Sequence, residues 1–337
     1  MATRAKKRER DEHVGQRLPT NPQRYNGNFP VFKQPKIIGH FSLSNAREYF
    51  PDARNLGYFV APACDLDEID GPSGALLSKP MELTFNADAT TKKDELLDEG
   101  LKHLFRWISL NKSSFAVAGA EHQRPVPANF VCFRGLFTKI LATPFEGPRS
   151  NPWLIAATKF RGTIYLDLRK TDEDVQAILD RTDVNEKFTR WGYKFEQFLF
   201  ASETRFDVDA SSCIERRFKL LKWWAQQFTV GIPFVHVGWR DGGGRVKRVQ
   251  RLKTQTMHHQ AREFWTPQTC FNFLLSFLRW VKDLVSEDDP RVVYSFRWDP
   301  GCPGRPVVCN RLSDPEASKM RVIPEWFVQD LLDQRKT

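Results

Sequence analysis

Apolar and polar positions follow two periods along this chain, and the period assigns most of its elements. "KKDELLDEGLKHLFRWISLNK", 92–112, places Leu96, Leu97, Leu101, Leu104, Phe105 and Ile108 on one side of a helix. "EKFTRWGYKFEQFLF", 186–200, has the same spacing. So does "ERRFKLLKWWAQQF", 215–228, with Phe218, Leu221, Ala225 and Phe228 as its inner stripe. "TPQTCFNFLLSFLRWVKDLVSED" opens on Thr266 and Pro267 as a capped helix does, and "PEWFVQDLLDQ" predicts a terminal helix opened by Pro324. Strand periods appear in "ANFVCFRGLFTKILATPF", 128–145, read as one or two buried strands, and in "RVVYSFRW", 291–298. "PWLIAATKFRGTIYLDLRK" predicts a hairpin turning at Gly162, and "IPFVHVGWRDGGGRVKRVQRL" predicts strand, glycine turn, strand.

Between prolines, 28–43 suggests short extended pieces, and the Pro, Gly, Asp and Ser of 62–90 suggest a long surface loop. Residues 1–28 are polar and read as a flexible basic arm ahead of a single domain over 29–337. Strands and helices mix without strict βαβ alternation and without internal repeats. The expected class is α+β, mixed sheets flanked by helices.

Composition narrows the partners. With 27 Phe and 10 Trp in 337 residues, the chain has bulky core material and flat faces for stacking. A formal net charge of +10 favours an anionic partner such as nucleic acid, although a solvated basic face has the same composition. Cys64, Cys132, Cys213, Cys270, Cys302 and Cys309 form no CxxC pair, which suits reduced, buried thiols rather than disulfides or zinc. No apolar stretch follows the charges of "MATRAKKRERDEH", so no secretory signal is read there, and "RAKKRER" is a nuclear import signal, a phosphate-touching tail or a solvated terminus. The longest uncharged run is too polar to span a membrane, and the chain is expected to be soluble, without a membrane partner.

Five patterns offer chemistry. Arg134, beside glycine among apolar residues, reads as a phosphate ligand or as the partner of a local carboxylate such as Glu146. Glu196 among aromatics is a metal ligand, a general base or the exposed face of a helix. Lys222 and Gln226 share a face at i and i+4. In "RFDVD", Asp207 and Asp209 point to one side if the stretch is a strand, and such a pair holds a hard divalent ion; two solvated aspartates in a loop are the alternative. From Gly242 to Arg262 there are six Arg or Lys and no acid, so Arg248 and Arg251 read as part of a backbone-binding track.

In this order the pieces resemble the DXO/Rai-type family of RNA decapping exonucleases. "FVCFRGLFTKILATPFE" is similar to its arginine motif, "RWGYKFEQFL" to its glutamate motif and "FKLLKWWAQQF" to its glutamine-bearing helix. "NFPVFKQPKIIGHFSLSNAREYFPDARNLGYFVAP", "WTPQTCFNFLLSFL", "DDPRVVYSFRWDPG" and "IPEWFVQDLL" match its N-terminal signature and C-terminal third, so the resemblance covers 17–333. It implies a fold related to the PD-(D/E)-x-K nucleases and removal of faulty or NAD-type 5′ caps from RNA, in some members with 5′–3′ digestion. It also implies Mg²⁺ or Mn²⁺ held by Glu196, Asp207 and Asp209, Arg134 on phosphate, and Gln226 beside the scissile phosphate. Lys222, Arg248 and Arg251 complete the expected RNA contacts. A nuclear, and secondarily cytoplasmic, protein that assembles with a 5′–3′ exonuclease is the accompanying expectation.

The family also carries an E-h-D and an E-h-K triplet (h apolar) between its glutamate and glutamine motifs. "FDVD" stands in for the first. For the second there is only "ERR", Glu215 to Arg217, whose arginine cannot exchange protons as lysine does. The interval between 200 and 217 is several dozen residues shorter than the family's, and no E-h-K strand fits in it. An inactive member that binds RNA 5′ ends or a protein is therefore the alternative function.

Overall fold

The computed structural model describes residues 15–85, 94–115, 124, 126–201 and 216–332. The strands, in chain order, are β1 (Gln16–Leu18), β2 (Ser42–Leu43), β3 (Tyr49–Phe50), β4 (Tyr58–Phe59), β5 (Ala75–Glu82), β6 (Phe130–Val131), β7 (Trp153–Phe160), β8 (Thr163–Arg169), β9 (Phe200–Ala201), β10 (Phe234–Arg240), β11 (Arg245–Lys253), β12 (Tyr294–Trp298) and β13 (Val307–Arg311). The helices are α1 (Lys102–Asn111), α2 (Arg134–Ala142), α3 (Asp172–Leu179), α4 (Asp183–Leu199), α5 (Arg216–Phe228), α6 (Pro267–Leu284), α7 (Asp314–Lys319) and α8 (Glu325–Leu332). These residues group into two compact units, 1–32 with 98–176 and 265–337, and 33–97 with 177–264. The class is α+β, as the mixed periods predicted.

The first unit holds a six-stranded sheet in the order β1-β13-β12-β7-β8-β6, antiparallel except where β6 meets β8. The β7–β8 hairpin turns at Arg161 and Gly162, both left-handed with φ of 49° and 74°. Glycine accepts that conformation freely; arginine does not. Asp288 steadies the turn by accepting from both backbone N–H groups, at 2.6 and 2.7 Å. On one sheet face α6 packs Phe277 against Trp153 and Phe296. On the other, Phe105 of α1 and Phe327 of α8 meet Tyr165 of β8. Alternate positions of β7 thus enter different cores, which is why its sequence reads as continuous apolar rather than alternating.

Five readings change. Residues 128–145 form a two-residue strand and then helix α2, because Leu136, Ile140 and Leu141 bury at helical spacing. A short apolar run carries too little periodicity to separate the two. Helix α1 begins only at Lys102, and Leu96 and Leu97, at 45% and 42% exposed, stay outside it. The expected loop over 62–90 contains β5, the last strand of its sheet, bridged beyond β11 only at Cys64–Leu77, an edge position where Pro80 is tolerated. Cys302 is exposed, unlike the buried Cys270 and Cys309, and Cys213 lies outside the described residues. In α5 the inner stripe is Leu220, Leu221, Trp224 and Ala225, whereas Phe228 is half-buried and stacks on Trp224.

The buried carboxyl of Asp167 on β8 makes a pH prediction. Arg169 Nε lies 2.9 Å from Asp167 Oδ2, yet its N–H does not point at that oxygen. Burial outweighs the arginine's pull and raises the Asp167 pKa from 3.8 to about 6. Between these values the folded state holds a proton that the unfolded state has released. Stability is therefore fully present below about pH 4 and declines as pH rises through 6. The expectation is that Asp167→Asn, which has no proton to lose, gains on the wild type by on the order of 2–3 kcal/mol between pH 4 and 7.5. Denaturant titrations at the two pH values measure it, and an equal difference at both would show that Asp167 does not titrate there.

Candidate functional site

Glu196 belongs to α4, and α4 is held by two close approaches to the β10–β11 hairpin of the second unit. A Cβ on Gly238 would lie 2.4 Å from the ring of Phe195, and one on Gly244 2.6 Å from the ring of Trp191. Only glycine leaves room for the helix. Trp191 is 1% exposed and joins Leu199, Val246, Val249 and Met81 in that unit's core. Arg240 lies over both Phe188 and Trp191, at 4.6 and 4.8 Å from the ring centroids. Glu196 follows Phe195 directly and is half-buried at this anchored end. The helix then passes into β9, which pairs with β4.

Lys222 and Gln226 do share a side of α5, Lys222 exposed and Gln226 half-buried, while Leu221 and Ala225 beside them are buried. Asp207 and Asp209 lie outside the described residues. Among the described residues no group of three or more His, Cys, Asp or Glu is gathered as a metal would need. Glu196, Asp207 and Asp209 are all carboxylates, the type of oxygen donor that hard divalent cations take.

Arg134 lies in the first unit as the first residue of α2. The preceding Phe133 supplies no side-chain cap. Arg134 forms no ion pair among the described residues, while Glu146, its alternative partner, accepts from Ser150. Burial lowers the arginine's pKa without a carboxylate to offset it. A half-buried guanidinium at an uncapped helix N-terminus is a place for an anion.

The basic strand β11 is less open than its composition suggested. Arg245 pairs with Glu82 at 2.5 Å, Lys247 with Asp241 at 3.7 Å, and Arg251 with both oxygens of Asp70 at 2.7 and 2.8 Å. Arg248 donates to the carbonyl of Gly74 at 3.4 Å. Two of these acids come from strands or loops some 160 residues or more away, so a local charge count had no means of finding them. A register shift at Lys247 also breaks the strict alternation of basic positions.

A sequence profile of the family described as RAI1 like PD-(D/E)XK nuclease matches residues 33–218 and 212–328. Decapping and exoribonuclease protein of Xenopus laevis is 29% identical over 379 aligned positions, covering 93% of this chain and 90% of that protein. The protein of that name in Mus musculus is 30% identical, covering 93% and 89%. Several dozen positions in each alignment face gaps in this chain, and the two profile matches meet at 212–218. Among solved structures, Scheffersomyces stipitis Rai1 in complex with (3′-NADP)+ and calcium ion superposes with a TM-score of 0.70 at 18% identity, covering 94% of this chain and 97% of that one. Candida albicans Rai1 in complex with pU5-Mn²⁺ gives 0.68 at 16%, covering 94% and 99%.

The seat of α4 is testable. Gly238→Ala forces Phe195 and its helix to move, with an expected loss of about 1–3 kcal/mol in a denaturant titration. Gly242→Ala, whose Cβ would meet nothing within 4 Å, should stay within about 0.5 kcal/mol of the wild type.

Proposed function

Because this chain belongs to the RAI1-like PD-(D/E)XK nuclease family, we propose that it is a metal-dependent hydrolase of RNA 5′ ends, removing incomplete or NAD-type caps. The observation that carries the reading is the placement of the glutamate motif. Glu196 stands on a helix locked to a glycine-notched hairpin, as a reacting carboxylate requires. Arg134, without a carboxylate partner among the described residues, takes a phosphate of the cap or RNA. Lys222 and Arg248 contact the RNA backbone, and Gln226 lines the site beside the scissile phosphate.

Glu196 with Asp207 and Asp209 would hold Mg²⁺ or Mn²⁺, which when bound supplies charge neutralisation at the phosphoryl group and activation of water. Calcium and Mn²⁺ in the two Rai1 complexes support a divalent cation in this family. The name exoribonuclease of its relatives supports exonucleolytic digestion of the RNA as a further step, proposed to run 5′–3′. The basic run 4–10 is proposed as a nuclear address, and a fluorescent fusion that accumulates in nuclei equally with and without it would refute that assignment.

A second reading is favoured by the missing E-h-K triplet: an inactive member that holds RNA 5′ ends or a protein such as a 5′–3′ exonuclease. Cap release from a 5′-capped RNA, followed with Mg²⁺ or Mn²⁺ and with EDTA, separates the two. The enzyme releases cap only with metal. Glu196→Ala should lower that release at least 100-fold while RNA binding in EDTA is kept, and Arg134→Ala should weaken both. RNA binding that survives EDTA, with no release under any metal, identifies the binding module.

A further inference from the structure

Among the described residues, one face of the β10–β11 hairpin is covered at one end and open at the other. Register pairs Phe234 with Lys253, His236 with Arg251 and Gly238 with Val249. A period of two puts all six on the same face. Helix α4 covers the last pair, where Phe195 sits on Gly238 and Val249 is fully buried. Beyond the helix the cover thins to Phe59 of β4, whose ring lies 4.6 Å from that of His236 at 33°. Phe59 remains 48% exposed and Phe234 37% exposed.

We propose that Phe59, His236 and Phe234, with Arg251 and Lys253, form a shelf on which bases of single-stranded RNA stack as the chain leaves the reacting end. The inference rests on the RNA 5′-end reading and assigns a subsite to it. Exposed rings set beside cations on a sheet surface are what unpaired bases and their phosphates require together. The Arg251 guanidinium lies 4.9 Å over the Phe234 ring, and its bidentate pair with Asp70 holds it in that orientation. Lys253 is exposed and forms no ion pair among the described residues, so its charge is available to a phosphate.

Burial and the neighbouring Arg251 lower the His236 pKa against the pull of Asp70, which favours the neutral imidazole, the form suited to stacking. The position also fits. The Val60 N–H donates to the Leu199 carbonyl at 2.8 Å, so the shelf adjoins the end of α4 three residues past Glu196. A duplex, whose bases are already stacked, gains nothing here. A protein partner would contact these side chains without regard to bases.

The test is fluorescence anisotropy of the full chain in EDTA with a short 5′-phosphorylated oligouridylate and with an abasic oligomer of the same length. Phe59→Leu and Phe234→Leu should each weaken uridylate binding roughly 5-fold or more, leave abasic binding unchanged, and be rescued by Trp. Lys253→Gln should reduce the salt slope by about one on both ligands. Photo-crosslinking of 5-iodouridine RNA to the wild type keeps the outcome decisive even where a variant fails to fold. Adducts on Phe59, Phe234 or His236 support the shelf, and adducts only elsewhere overturn it. Wild-type binding that the Leu variants leave intact, or that falls equally on the abasic oligomer as a protein surface would have it, also overturns the shelf alone. A wild type that binds neither oligomer overturns the RNA 5′-end reading and the shelf with it.

Discussion

The contact on which the second unit depends is aromatic side chain against bare backbone: Trp191 over Gly244 and Phe195 over Gly238. Large rings contribute most of the apolar area an element buries, and removing one such residue from a core costs about 3–5 kcal/mol. Here they also set position. With no Cβ on the strand side, the helix axis approaches closer than any other residue would allow, and the rings cannot slide along the hairpin without losing their notches. Glu196 and the start of β9 inherit that precision. The same seating decides which part of the hairpin face is covered and which part is left to Phe59, Phe234 and Lys253.

Charge is distributed more economically than a net +10 suggests. Along β11 three of the five cations meet a carboxylate, two of these brought from elsewhere in the fold, at largely exposed positions where each pair adds little stability but fixes orientation. Arg134 differs: it is partly desolvated, begins a helix without a side-chain cap, and meets no carboxylate among the described residues. A desolvated cation without a counterion is costly in the isolated protein. The cost is recovered when an anionic ligand arrives, which is the usual energetic arrangement of a phosphate site.

The gap between β9 and α5 bears on both functional readings. Strand triplets aim two ionic groups at one ion through the period of two; this chain has one such triplet at most, in 202–215. Catalysis then depends on whether Asp207 and Asp209 supply the oxygens that Glu196 lacks on its own. The proposed RNA binding would not depend on them, because Arg134 and the β10–β11 face draw on other segments.

Legibility followed the length and regularity of each pattern. The hairpin at Gly162, the helix capped by Thr266 and Pro267, and the helical setting of Glu196 and Gln226 were all readable, because their periods run long enough to exclude the other element. Helix α2 was not, since nine residues with a glycine near the start satisfy either period. Strand β5 was hidden by Pro80, which only its edge position permits. By itself, then, the chain of residues determined the mixed α+β class and the order of the arginine, glutamate and glutamine motifs, because these rest on local spacing. Tertiary structure alone decided that Arg251 is held by Asp70, that Arg134 meets no acid among the described residues, and that Phe59 reaches His236. Such pairings join residues far apart in sequence, and no local period records which distant group the fold will bring to a charge or a ring.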